Sequence, residues 1–144
     1  MSKLFWMLRQ LSQQREKSLT DDEPYIYRSR GLINTVLIVV IGVDEKFIPE
    51  IIEVTKKKFA KSDKLVFLTD DCDFTAFRAQ AVAFEYMPPL IEQRVHAADM
   101  PWQSYLRERW GLLLAKWKPR LILSYGTNID AFLAAAPNGI PVQT

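Results

Sequence analysis

One cysteine and one histidine in 144 residues remove two kinds of chemistry at the outset. Cys72 alone cannot close an internal disulfide, and together with His96 it is too little for a Cys/His zinc cluster, so no metal is expected and the thiol usage suits a reducing compartment. Glycine is scarce too, at five residues. A dinucleotide site needs several glycines in its first strand-to-helix turn, so that a pyrophosphate can reach backbone and helix N-terminus. The turn "IGVDEKF" holds only Gly42, and no cofactor is expected. An excess of one charge is also missing. Nineteen basic and seventeen acidic residues leave +2, with the surplus in residues 1–31 and the remainder balanced; nothing there makes a field for nucleic acid. The run "LINTVLIVVIGV" (32–43) is interrupted by Asn34 and falls short of the roughly 20 apolar residues that span a bilayer. The N-terminus has no apolar signal-peptide core. A cytoplasmic location is the expectation.

What is present suits one globular domain. The chain is 49% hydrophobic and 25% charged, enough apolar material at this length for a core of its own. Residues 2–17 place Leu4, Leu8 and Leu11 at helical spacing, and residues 18–31 have caps, a proline and no period. Residues 1–31 are therefore an amphipathic helix with its linker, and residues 32–144 the main domain. Phe5, Trp6 and Leu8 beside Lys3, Arg9 and Arg15 equip that helix equally for a peripheral membrane contact, for docking on protein or for homo-oligomerisation.

Within the main domain "TVLIVVIG" (35–42) is apolar and β-branched throughout, which is the pattern of a central strand covered on both faces. Asp44 can cap the helix "EKFIPEIIEVTKKKFAK", whose crowded last-turn lysines read as solvated. "KLVFLTD", "VAFEYM", "LILSYG" and "GIPVQT" read as further strands. Helical pieces separate them near "TAFRAQ", at 98–120 with Asp99 as cap, and at "NIDAFLAAA". Strands alternating with helices predict an α/β, doubly wound, mainly parallel five-stranded sheet in the order 3-2-1-4-5, with helices on both faces. Trp102, Leu106, Trp110, Leu113 and Trp117 fall on one stripe of the long helix; packing explains that stripe more simply than a sugar-stacking platform.

The acids of "KLVFLTDDCDF" (64–74) admit three readings. Asp70 stands where a ribose-binding acid would, at the end of the second strand. Asp70, Asp71 and Asp73 could also share a hard cation with phosphate oxygens. A capped polar turn is the reading preferred, since the glycines a nucleotide needs are missing. Carboxylates around Cys72 argue against a nucleophilic thiolate. His96 has no partner nearby in sequence, and a lone histidine is more often structural than catalytic. No catalytic residue is assigned.

At residues 118–144, "KPRLILSYGTNIDAFLAAAPNGIPVQT", a more specific pattern emerges: Lys-Pro, an apolar strand, a small-residue turn, an Ala-rich helix, then Gly-Ile-Pro-Val-Gln-Thr. This resembles the first-domain segment of GT-B glycosyltransferases, in which Lys-Pro-Asp precedes one strand and Gly-x-Pro opens the next. Elsewhere only the strand-helix rhythm matches, and Arg120 replaces the family's acid. The resemblance implies a Rossmann-like N-terminal half of the acceptor-handling kind, linked to cell-surface polysaccharide synthesis. The donor-binding second domain does not follow within the 144 residues, so a fragment or a stand-alone form, inactive by itself, is the expectation. A sugar or nucleotide-sugar ligand and a second α/β domain are the implied partners. The alternative is a non-enzymatic Rossmann- or flavodoxin-like interaction or regulatory domain. In an open α/β sheet a ligand sits outside the carboxyl ends of the strands, where the strand order reverses. That rule selects Gly42, Val43 and Asp44 after the first strand and Ser124, Tyr125, Gly126, Thr127 and Asn128 after the fourth. Asp70, Asp71, Asp73 and His96 are weaker candidates.

Overall fold

Val36 to Ile41 are removed from solvent, none more than 1% exposed. A strand apolar on both faces needs cover on both, and parallel crossover helices supply it. The computed structural model describes residues 33–138. The chain divides into a unit of residues 1–32 and one of residues 33–144; the expected helix at 2–17, the linker at 18–31 and the fifth strand at 139–144 lie outside the described residues.

The elements run β1 (Asn34–Val39), a 3₁₀ turn (Glu45–Phe47), α1 (Ile48–Phe59), β2 (Asp63–Thr69), α2 (Thr75–Ala79), β3 (Ala83–Tyr86), α3 (Leu90–Val95), α4 (Trp102–Trp117), β4 (Leu121–Ser124) and α5 (Ile129–Ala135). All described strand pairs are parallel, and the order is β3-β2-β1-β4. The fold is thus α/β and Rossmann-like with β1 interior. Four strands are described where five are expected, because "GIPVQT" falls beyond residue 138.

Two apolar layers flank the sheet. Val36, Ile38 and Val40 point to Ile48, Ile52 and Phe59 of α1 and to Phe77 of α2. Leu37, Val39 and Ile41 point the other way, to Trp102, Leu106 and Leu113 of α4 and to Phe132 and Leu133 of α5. The two-residue strand period divides the apolar side chains between the layers, and the helical period gathers one stripe per helix. The tryptophan stripe is core: Trp102 is buried, and Trp110 and Trp117 pack against the same cluster. Trp117 Nε1 also donates to Glu85 Oε1 (2.8 Å), beside Lys116 Nζ (2.6 Å).

Several local expectations are corrected. The long helix begins at Trp102 after Pro101, and Asp99 does not cap it. Asp99 Oδ2 instead accepts from His96 Nδ1 (2.8 Å), so the histidine has the local partner it lacked in the sequence reading. A six-residue helix, α3, follows Pro89, which stands at its N-cap with extended backbone. Lys56 is not simply solvated, since its Nζ donates to the Gln80 carbonyl at 2.8 Å.

Arg120, the departure from the family pattern, has a structural use. Its guanidinium grips Asp63 through two bonds, Nε to Oδ1 (2.6 Å) and Nη2 to Oδ2 (2.7 Å). The side chain of Asp63 is 1% exposed. Asp63 opens β2 and Arg120 precedes β4, so the pair reaches across the start of β1, where Arg120 N–H also donates to the Thr35 carbonyl (2.9 Å). The hydrogen bonds from Arg120, against the upward push of burial and with help from Ser62, hold the Asp63 carboxyl down at about 2 instead of 3.8. A carboxyl depressed in the folded state contributes stability that is complete above its unfolded value and lost as pH falls through the folded one. The contribution should therefore fade between pH 3.8 and about 2. Arg120→Ala should lower the urea midpoint at neutral pH and flatten the loss of stability across that acid window; a wild-type slope in the variant would contradict the assignment.

Candidate functional site

Parallel strands end at one edge, and the loops that leave it meet there. The loop after β1 turns at Gly42 with φ +75°, and the loop after β4 turns at Gly126 with φ +100°. The two loops pack directly on each other. Thr127 N–H donates to the Ile41 carbonyl (2.9 Å) and Tyr125 N–H to that of Val39 (2.8 Å). A Cβ on Gly126 would lie 2.6 Å from the Ile41 carbonyl oxygen, and one on Gly42 would lie 2.6 Å from Thr127 Oγ1. Asn128 caps α5 through its Oδ1, which accepts from Asp130 N–H (2.8 Å). The fourth-strand residues Ser124 to Asn128 thus stand beside Gly42 and Val43 without lining either cavity described below.

Among the described residues, open space lies on the other side of the first loop. A crevice of about 470 Å³ is lined by Gly42, Val43 and Asp44, by Asp70, Asp71 and Cys72 after β2, and by Tyr86, Pro89 and Glu92 from the end of β3 and α3. Asp70 joins the first two loops, because its Oδ1 accepts from Gly42 N–H at 3.2 Å. Burial pushes the Asp70 carboxyl above its ordinary value, opposed by that backbone bond. It is therefore closer to the site than its placement on the second strand suggested. Opposite, Tyr86 donates from its hydroxyl to Glu92 Oε2 (3.1 Å); burial and then this carboxylate raise the phenol to about 12.

Asp71 and Asp73 answer the question of the acidic cluster differently. Asp71 Oδ1 accepts from Asp73 N–H (2.9 Å), and Asp73 Oδ1 accepts from both the N–H and the hydroxyl of Thr75 (3.0 and 2.6 Å). The Thr75 bonds hold the Asp73 carboxyl low. These two acids form the capped turn that opens α2. Among the described residues no three His, Cys, Asp or Glu side chains are arranged to hold a metal ion. A second hollow, about 370 Å³, lies between the start of α1 and α2, with Ile48, Pro49, Ala76 and Phe77 on its walls and Asp71 on its rim. His96 lines neither space.

Cys72, Tyr86, Pro89 and Glu92 are the site residues that sequence reasoning missed. For Tyr86, Pro89 and Glu92 the signal was available in the expected order 3-2-1, which puts the end of "VAFEYM" at the same edge as Gly42. Among the described residues no helix is long and apolar enough to cross a membrane. Compared with family models, curated proteins and solved structures, the chain gives no match.

The glycines give a direct check on loop packing. Gly126→Ala should cost roughly 1–3 kcal/mol, the scale for forcing a side chain into this backbone region, because its Cβ meets main chain. Gly42→Ala should cost less, since a Thr127 hydroxyl can rotate away. Denaturant melts of both variants decide it, and equal costs would mean the loops yield together.

Proposed function

We propose that residues 33–144 form the acceptor-side, Rossmann-like domain of a glycosyltransferase-type protein, with a hydroxyl-rich, uncharged sugar bound in the crevice of Gly42, Asp70 and Tyr86. The observation that carries this reading is the wall of that crevice. It holds Asp44, Asp70, Asp71 and Glu92 with Tyr86, and no Lys, Arg or His. Carboxylates accept hydrogen bonds from sugar hydroxyls and repel phosphate. A nucleotide diphosphate would need cations or a glycine-rich helix start, so the nucleotide-sugar donor belongs to a second α/β domain in this reading. Turnover is not assigned to this chain alone, and the setting inferred from the resemblance is the synthesis of cell-surface glycans by a cytoplasmic protein. The fifth strand, 139–144 beside β4 in the order 3-2-1-4-5, belongs to the same reading; Leu121 and Leu123 are half-buried and Ile122 exposed on the edge it would cover. Ending the chain at residue 138 should then speed hydrogen exchange in Leu121–Ser124.

One observation favours a second reading, a non-enzymatic interaction domain: the place where strand order reverses is filled by loop-on-loop packing. Amide NMR titration with neutral sugars and with nucleoside diphosphates separates the two. Sugar-specific shifts at 42–44 and 70–72, weakened about tenfold or more by Asp70→Asn as for a hydrogen bond to a charged group, are expected. Diphosphate binding there, or no shifts with any ligand, would reject the acceptor reading.

A further inference from the structure

Parallel topology sorts the charges of the domain by edge. Every described strand starts at the same side, with Asn34 level with Asp63 and Val36 level with Leu121. The helices α1 and α4 return to that side, each ending just before the next strand. This brings Lys57, Lys58 and Lys61 from one face of the sheet, Lys118 from the other, and Lys64 from between them to one edge; all five are exposed. The acids there are engaged. Asp63 is held by Arg120 and Glu53 pairs with Lys57 (3.0 Å), while Lys116 reaches toward the strand ends to Glu85 (2.6 Å), which is level with Leu68 and Val39. Among the described residues Lys58, Lys61, Lys64 and Lys118 have no carboxylate within ion-pair distance. Lys58 and Lys64 lie instead over the rings of Phe59 and Trp117, 5.3 and 4.8 Å from their centroids. The carboxylates gather at the opposite edge, around the crevice.

We propose that this lysine edge docks on an anionic lipid bilayer surface and holds the crevice facing away from it. Distance decides why a domain with balanced charge can bind. β1 separates the two edges by roughly 20 Å at about 3.3 Å per residue, while the Debye length in physiological salt is about 8 Å. Lysines at the surface are attracted, and the carboxylates beyond two screening lengths scarcely oppose them. Residue type distinguishes the partner. Arginine is the side chain suited to bidentate phosphate and nucleic-acid recognition, and Arg120 at this edge is consumed by Asp63. Separate ammonium groups on flexible stems suit the diffuse field of lipid headgroups, at roughly fivefold in partitioning per lysine. The surface is independent of the ligand assigned to the crevice.

The test is sedimentation of the full chain with phosphatidylcholine vesicles, with and without phosphatidylglycerol. Binding should require the anionic lipid and vanish in about 1 M salt, where the Debye length is about 3 Å. Lys57→Glu with Lys61→Glu should reduce partitioning at least about tenfold. Arg94→Glu with Arg107→Glu changes net charge equally at exposed positions away from that edge and should leave it intact; Lys61→Glu alone replaces the first pair if that variant fails to melt like wild type. A fluorophore on Cys72, the chain's single cysteine, exposed at the crevice, should stay open to an aqueous quencher in the bound state. Equal losses in both double variants, equal binding to neutral vesicles, a shielded Cys72 label, or lysine-edge variants that lose binding to an RNA duplex but not to vesicles would each overturn the proposal.

Discussion

The burial of β1 on both faces is the constraint from which the rest follows. A strand with no polar face cannot sit at the surface of a two-layer domain, so helices must cover it twice. α1 and α2 take one side and α4 and α5 the other. Because covering helices connect parallel strands, every strand points the same way, and all strand-ending loops meet at a single edge. The Asp63–Arg120 grip closes the opposite end, fastening β2 and β4 across the start of the buried strand.

At the loop edge, steric fit determines where a ligand has room. Among the described residues the first and fourth loops interlock at two glycines with positive φ, where an added side chain would meet the facing loop. Room remains toward β2 and β3, and Asp70 and Tyr86 face it. The bond from Gly42 N–H to Asp70 couples the shape of the first loop to the charge of this crevice. Asp71 and Asp73, one and three positions further on, are held by their own turn. Neighbouring acids therefore have different fates because one reaches a second loop and the others do not.

Helix polarity accounts for part of the charge sorting. Lysines at a helix C-terminus and acids near strand ends and helix starts are each favourable locally. Parallel topology then aligns these local preferences, so that small separate effects become one domain-scale separation of charge. α1 shows the pattern in miniature, with Glu50 in its first turn and Lys56, Lys57 and Lys58 in its last.

Composition and periodicity determined much of this protein. The solid apolar run of residues 36–41 marked the central strand, alternation of strand and helix marked the parallel sheet, and the stripe from Trp102 to Trp117 marked a packed helix. These follow from local chemistry, since burial repeats every two residues in a strand and about every 3.6 in a helix. Element ends were less legible: β1 stops at Val39 although the apolar run continues to Ile41, and α4 waits until Pro101 has passed. What only tertiary structure decided is pairing between distant residues. Arg120 read as a departure until Asp63 arrived beside it from 57 positions away, and Asp70 read as a turn acid until Gly42, 28 positions earlier, gave it an N–H. The side on which the loops leave space depends on a Thr127 hydroxyl and an Ile41 carbonyl meeting two glycines. Distances of that kind are set by how the layers pack, and a pattern along the chain carries no record of them.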